Sequence, residues 1–305
     1  MKMSNEVHVD VDGRTLKLSN LDKVLYPQTG TTKGEVLNYY AQVAPVLLPH
    51  VADRAVTRIR WPNGTAQSSF FEKNAPAGAP GWLRIVNVPT SGSRGSSRRS
   101  QEGGDSLHFP VIDGLASLTY LANLASLELH VHQWRVGRNG QPRNPDRLVI
   151  DLDPGEGAGL SECAQVALLV RDRLAEENLD CLPVTSGSKG LHLYADLPGQ
   201  KNSDEVRDWV HAIAKELETE HPELMLSQMT KSRRTGKVFF DWSQNAGAKT
   251  TITPYSLRGR DRPMVAAPRT WPEIAAGADD PLELEHLRYE EVLERVGERG
   301  DLFTA

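Results

Sequence analysis

The chain has 305 residues, 39% hydrophobic, 25% charged and 6% aromatic, a globular make-up that suits one large domain or two small ones. No apolar run approaches the roughly 18 residues that span a bilayer, Met1-Lys-Met-Ser-Asn-Glu lacks a signal peptide's apolar core, and Cys163 and Cys181 match no zinc spacing. A cytoplasmic, disulfide-free protein without membrane contact is therefore expected. The net charge of −5 does not favour nucleic acid, but a chain average hides local basic faces.

In chain order, a helix is predicted over residues 33–48, opened by a Thr32/Glu35 capping box. Short strands follow at 56–61 and 67–72. Residues 91–106 hold no apolar side chain and read as a long flexible loop carrying Arg94, Arg98 and Arg99. A helix over 114–128 and a strand over 129–135 come next. The stretch Leu148-Val-Ile-Asp151-Leu-Asp153-Pro154-Gly155 is an apolar run stopped by a turn, hence a buried strand. Beyond it lie a helix at 161–177, a strand at 181–185 and a strand-like alternating segment, Gly190-Leu-His192-Leu-Tyr-Ala195. The amphipathic helix at 203–219 carries a stripe of Val206, Trp209, Val210, Ile213, Ala214 and Leu217. Val238-Phe-Phe-Asp241-Trp242 is a third acid-bearing strand, and a helix near 289–298 closes the chain. The mixture points to an α/β (α+β) fold. No internal repeat or interdomain linker is visible, so residues 1–305 are expected to form one domain.

Residues i and i+2 of a strand share a face, so Asp151 and Asp153 project together, roughly 7 Å apart at about 3.3 Å per residue. Two carboxylates so placed repel each other unless a cation lies between them. Thr185-Ser186-Gly187-Ser188-Lys189-Gly190-Leu191-His192 is a turn whose small residues let backbone amides approach an anion, with Lys189 and His192 adding charge or donors. Asp241 supplies a third carboxylate. Together these suit two-metal phosphoryl or nucleotidyl transfer. Each also has a plain reading: an Asp-rich turn, a common loop composition that is not a Walker A sequence, a strand-end cap, a structural histidine. Their order in one chain favours the joint reading.

The order apolar-Asp-x-Asp, Ser-x-His-like, apolar-Asp resembles the three motifs of the archaeo-eukaryotic primase superfamily. More closely, the chain is similar to the polymerase domain of the bacterial end-joining ligase D, of actinobacterial type. The matching segments run from Leu21-Asp-Lys-Val-Leu-Tyr-Pro27 through Arg60-Trp-Pro-Asn-Gly64, Phe70-Phe-Glu-Lys73, Glu128-Leu-His-Val-His-Gln-Trp134 and Asp151-Leu-Asp-Pro-Gly-Glu156. They continue with Val184–His192, Asp241-Trp-Ser-Gln-Asn245 and Pro254-Tyr-Ser-Leu-Arg-Gly-Arg260.

The resemblance implies a primase–polymerase core of antiparallel or mixed sheet flanked by helices. Residues 1–110 would hold the DNA 5′-phosphate elements and a base-stacking pair, and 111–305 the metal and triphosphate site. It implies two divalent ions, Mn²⁺ or Mg²⁺, on Asp151, Asp153 and Asp241, with His130 beside them. Ser186, Lys189, His192 and Arg258 would grip a nucleoside triphosphate, with Gln244 nearby. Of Phe70 and Phe71, one would stack on the base and the other enter the core. Lys23 and Lys33 would bind a DNA 5′-phosphate, helped at Lys33 by the helix N-terminus. Arg234, on the 231–237 loop, would swing toward the active site when DNA binds; Arg94, Arg98 and Arg99, on a loop that departs from the family pattern, would either strengthen contact with the DNA backbone or ride on an idle extension. Ile59 stands where the family pattern has a lysine, and the 91–106 loop is longer and more basic than that pattern.

The implied activity is template-directed gap filling and 3′-end extension at DNA breaks in non-homologous end joining, on DNA with gaps or 3′ overhangs. Ribonucleotides would be preferred over deoxyribonucleotides, Ku and a DNA ligase would be further partners, and the bacterial nucleoid the location. No Lys-x-Asp-Gly ligase motif is present, so a stand-alone homologue or an excised domain is expected. Two rivals stay open: a metal-dependent nuclease or phosphodiesterase, and a non-catalytic DNA-end-binding module.

Overall fold

A computed structural model describes residues 6–89, 106–137 and 140–304. The loop bearing Arg94, Arg98 and Arg99 lies outside the described residues.

Helix α1 (Lys33–Val51) begins at the predicted capping box: Glu35 N donates to Thr32 Oγ1 at 3.3 Å, and Glu35 Oε2 accepts from Thr32 N at 2.7 Å. Val36, Tyr39, Tyr40, Val43 and Leu47 form its buried stripe. It runs three residues past the predicted end, through Pro49. Helix α2 (Leu115–Asn123) is shorter than predicted. Ala125, at φ 58°, turns the chain out of the helix, and a strand occupies Ser126–Val131. This correction bears on function. Leu127, Leu129 and Val131 enter the core as alternate strand residues, which puts Glu128 and His130 together on the opposite face.

Two sheets frame the molecule. The larger has six strands in the order Met225–Leu226, Val238–Asp241, Arg147–Pro154, Leu191–Asp196, Cys181–Thr185, Ala267–Pro268. Only the first pair is parallel. The smaller has four, in the order Thr251–Ile252, Ser126–Val131, Val56–Arg60, Phe70–Glu72. The fold is α+β, with antiparallel and mixed sheet flanked by helices.

The Arg147–Pro154 strand is central and separates two cores. Leu148, Ile150 and Leu152 pack against Val166 and Val170 of α3 (Leu160–Ala175) and Val210 and Ile213 of α4 (Ser203–Glu220). Each such fully buried side chain contributes about 1.5–3 kcal/mol. Val149, Val184 and Tyr194 belong instead to the core shared with α1, α2 and the smaller sheet, which also takes Leu16 and Phe303. That cluster crosses residue 110 without a break. Helix α5 (Trp271–Asp279), capped by Thr270 and Glu273, packs on α3 and was not read from the sequence. The last helix, α6 (Tyr289–Arg299), lies near its predicted place. Among the described residues no helix is long and apolar enough to cross a membrane.

Candidate active site

Cross-strand register assembles the three motifs. Asp151 lies opposite His192 on one neighbouring strand and Asp241 on the other. Because Leu148, Ile150 and Leu152 face the helices, Asp151 and Asp153 face the smaller sheet, which carries His130. His192 Nε2 is 3.2 Å from Asp151 Oδ1. After Asp241 the chain enters a short 3₁₀ turn, Trp242–Asn245. Asn245 pins this turn to the Asp151 strand, accepting from Val149 N at 2.9 Å and donating to Val149 O at 2.7 Å. Gln244 is thereby brought over the acids and donates to Asp241 Oδ2 at 3.0 Å and Asp151 Oδ2 at 3.4 Å.

The electrostatics differ across the cavity. Burial, then the charge of Asp151 and that of Asp241, push the Asp153 carboxyl up to about 6, against the pull of His192 and Arg234. At Glu128 burial also opposes the charge, but His130, Arg258 and the Gly259 N–H hold its carboxyl at about 2. Burial pushes the His130 imidazole below its usual range, although Glu128 pulls the other way. We take the pair as a carboxylate beside a neutral ring.

The acids fit a divalent cation: three hard oxygen donors lie on two adjoining strands, and one of them resists ionising beside the others. Among the described residues no three His, Cys, Asp or Glu side chains meet at one point. Gln244 cross-links Asp151 and Asp241, and Asp241 Oδ1 accepts from Ser243 N at 2.9 Å and from the Ser243 hydroxyl.

A cavity of about 280 Å³ opens beside them, lined by His130, Asp151, Asp153, Ser186, Lys189, His192, Gln244 and Arg258. The Ser186–Gly190 turn is closed by Ser186 N on Gly190 O at 2.9 Å and Gly190 N on Ser186 Oγ at 3.1 Å. Two of its residues must be glycine. Gly187 has φ +67° and lies against Val265 O, and a Cβ on Gly190 would strike Leu152 O. Arg258 Nε is buried without a partner, a donor awaiting an acceptor. With Lys189 exposed at the rim, the wall suits a polyphosphate.

Other expected residues stand apart. Phe70 and Phe71 are 52% and 59% exposed. The expected division, one ring in the core, is wrong, because Phe70–Glu72 is a three-residue edge strand with little packed on either face. Neither ring lines the cavity. Lys23 is exposed, its Nζ 3.5 Å from Asn63 Oδ1. Lys33 is only 5% exposed and donates to Ser19 O at 2.6 Å. Burial, and then Lys23, lower its amine to about 8. The first three amides of α1, expected to help Lys33 hold a phosphate, are already engaged. Lys33 N and Gly34 N donate to Lys23 O and Leu21 O at 2.8 Å each, and Glu35 N is taken by Thr32. Arg234 stacks 3.7 Å from the Phe239 ring centroid and donates to Met229 O at 3.0 Å. Ile59 is partly buried and packs against the core.

The sequence profile of the LigD primase-polymerase domain matches residues 32–303. The chain belongs to this family. It is 50% identical over 289 residues to the multifunctional non-homologous end joining protein LigD of Mycolicibacterium smegmatis, covering 95% of this chain and 36% of that protein. It is 31% identical over 286 residues to the bifunctional LigD of Bacillus subtilis, covering 93% and 43%. The chain thus spans well under half the length of these relatives. The solved polymerase domain of Mycobacterium tuberculosis ligase D in complex with DNA superposes with a TM-score of 0.85 at 49% identity, covering 94% of this chain and 96% of that one.

As a LigD primase-polymerase domain, the chain is a nucleotidyltransferase. Within the family's frame, three residues were not singled out from the sequence. Glu128 was hidden by the misplaced helix end. Ser243 and Lys249 tie down Asp241: Lys249 Nζ is 3.8 Å from Asp241 Oδ2 and donates to Ser243 Oγ. The spacing Asp-x-Ser was the available signal for Ser243. Lys249 becomes meaningful only after the chain turns back.

Proposed function

We propose that this domain extends DNA 3′ ends and fills gaps at breaks, a role that suits a polymerase domain whose relatives are named for non-homologous end joining, and that it works as one domain. The observation that carries the reading is the single row formed by His192, Asp151 and Asp241 beside a cavity lined by Arg258, Lys189 and the Ser186–Gly190 turn. A nuclease site needs the acids but has no use for the Ser186–Gly190 turn, Lys189 and Arg258.

In this reading a nucleoside triphosphate lies along that wall, its charge met by Lys189 and Arg258 and its oxygens by the turn. Asp151, Asp153 and Asp241 would hold two divalent ions, Mn²⁺ or Mg²⁺, which lower the pKa of a primer 3′-hydroxyl and offset charge developing at the α-phosphate. Gln244 and His192 fix the carboxylate orientations. Phe70 and Phe71, both free on an edge strand, offer ring faces to a base, and Lys23 a charge to a 5′-phosphate. Arg234, released from Phe239, would reach toward Asp153. Ribonucleotide preference, Ku and ligase as partners, and a place in the nucleoid complete the proposal.

Labelled primer–template incubated with the protein, Mn²⁺ and either ribo- or deoxyribonucleotides tests it. Lengthened product is expected, more with ribonucleotides. Shortened product would establish the nuclease reading, and an unchanged primer under every metal the end-binding one.

A further inference from the structure

We propose that Glu128 is a positioning residue that fixes His130 with its proton on Nε2 and so turns the unprotonated Nδ1 to the cavity. The Glu128 side chain is 6% exposed and gathers three groups. Oε2 lies 2.8 Å from His130 Nε2 and 3.5 Å from Arg258 Nη1, and Oε1 accepts from Gly259 N at 3.0 Å. An ionised carboxylate only accepts. With an arginine and a backbone amide already among its donors, it stays ionised, and the imidazole edge facing it must carry the proton.

Nδ1 has no hydrogen-bond partner among the described residues. Nor is it among the buried polar atoms left unpaired. It therefore opens to the space that the ring lines with Asp151 and His192. A lone pair there is compatible with the cation the acids suit, and an N–H would repel it. The same carboxylate tethers Arg258 and Gly259, so one residue aligns two parts of the wall. Such carboxylate–histidine pairs set ring tautomer at metal sites generally.

A glutamine at 128 has one acceptor oxygen. Kept on Gly259 N–H, it turns its amide donor toward His130 Nε2 and drives the proton to Nδ1. The kinetic arm of the test rests on the polymerase reading, and the spectroscopic arm does not. In the ring ¹⁵N spectrum of the whole chain, with His130 assigned by the signals lost in His130→Gln, wild-type Nδ1 should resonate as an unprotonated nitrogen and Nε2 as a protonated one. Glu128→Gln should exchange them.

In primer extension Glu128→Gln should lower kcat by about 10–100-fold, the usual cost of losing such a partner. It should lower kcat far less when added to His130→Gln, while raising the nucleotide KM through Arg258 in both backgrounds. A protonated Nδ1 in the wild type overturns the proposal even if Glu128→Gln fails to fold. Full additivity of the two substitutions in kcat also overturns it. A wild type with the expected spectrum that extends no primer would overturn the polymerase reading and leave this one standing.

Discussion

Two carboxyl groups near the cavity, Asp153 on its lining and Glu128 behind His130, stand in opposite circumstances. Asp153 has like charges for neighbours and is pushed up to about 6. Glu128 has donors for neighbours and is held at about 2. Burial raises both, so the difference comes from partners alone. The Glu128 side is a completed structure whose charges cancel internally. On the aspartate side like charges outweigh the pull of His192 and Arg234 at Asp153, an electrostatic balance that suits a cation. Uncompensated burial costs stability, so the acids point to function where Glu128 points to scaffolding.

The largest test of this contrast removes the acids. Asp151→Ala with Asp153→Ala should lower primer extension by at least about 10³-fold, since metal ligation supplies several kcal/mol, while gel-shift binding of DNA stays near wild type. Extension that survives the double substitution would refute the metal role. On the cationic wall, Lys189→Ala or Arg258→Ala should raise the nucleotide KM by about 10–100-fold, the equivalent of one charge-assisted hydrogen bond, and steady-state kinetics would show it. An unchanged KM would detach the wall from the triphosphate.

Glu273 is a control carboxylate far from the cavity. Burial raises it too, but Arg295, the Thr270 N–H and Arg269 hold it at about 2, below its ordinary 4.5. Its contribution is therefore present above pH 4.5 and is lost as pH falls toward 2. Glu273→Gln should cost about 1–2 kcal/mol at pH 7 after solvent screening, and the gap between variant and wild-type melting curves should close as pH falls through that window. A gap that persists to pH 2 would assign the loss to packing instead. The smallest effect is expected at Asp153→Asn. Relieving one like charge without changing shape should raise the melting temperature by about 2 °C in metal-free buffer. A fall would mean the carboxylate has a stabilising partner.

Much of the site was legible in the sequence because its parts are local. The Asp151-x-Asp153 spacing fixes a shared strand face, and Ser186–Gly190 holds the two glycines that close contact with Val265 and Leu152 demands. Some signals were present but unread. Asp12-Gly13, with φ of 50° and 68°, is a two-residue hairpin turn between Glu6–Val11 and Arg14–Ser19, and Thr270/Glu273 is a second capping box. Others had no local signal. Ala125 is an excellent helix former forced to φ 58° by packing on either side, and its turn decides that Glu128 and His130 share a face. For Phe70 and Phe71, strand alternation predicts one ring in the core, but the edge position leaves both exposed.

By itself, the sequence determined the element types around the site, the strand face of the aspartates, the tight Ser186–Gly190 turn and the family, because each depends on residues close in the chain. Tertiary structure alone decided that Asp151 stands between His192 and Asp241, that Glu128 binds His130 and Arg258, and that Lys33 turns inward to Ser19. Those facts depend on strand register and on segments as many as 131 residues apart, as Glu128 and Gly259 are, where the winning arrangement is set by the whole core rather than by any local preference.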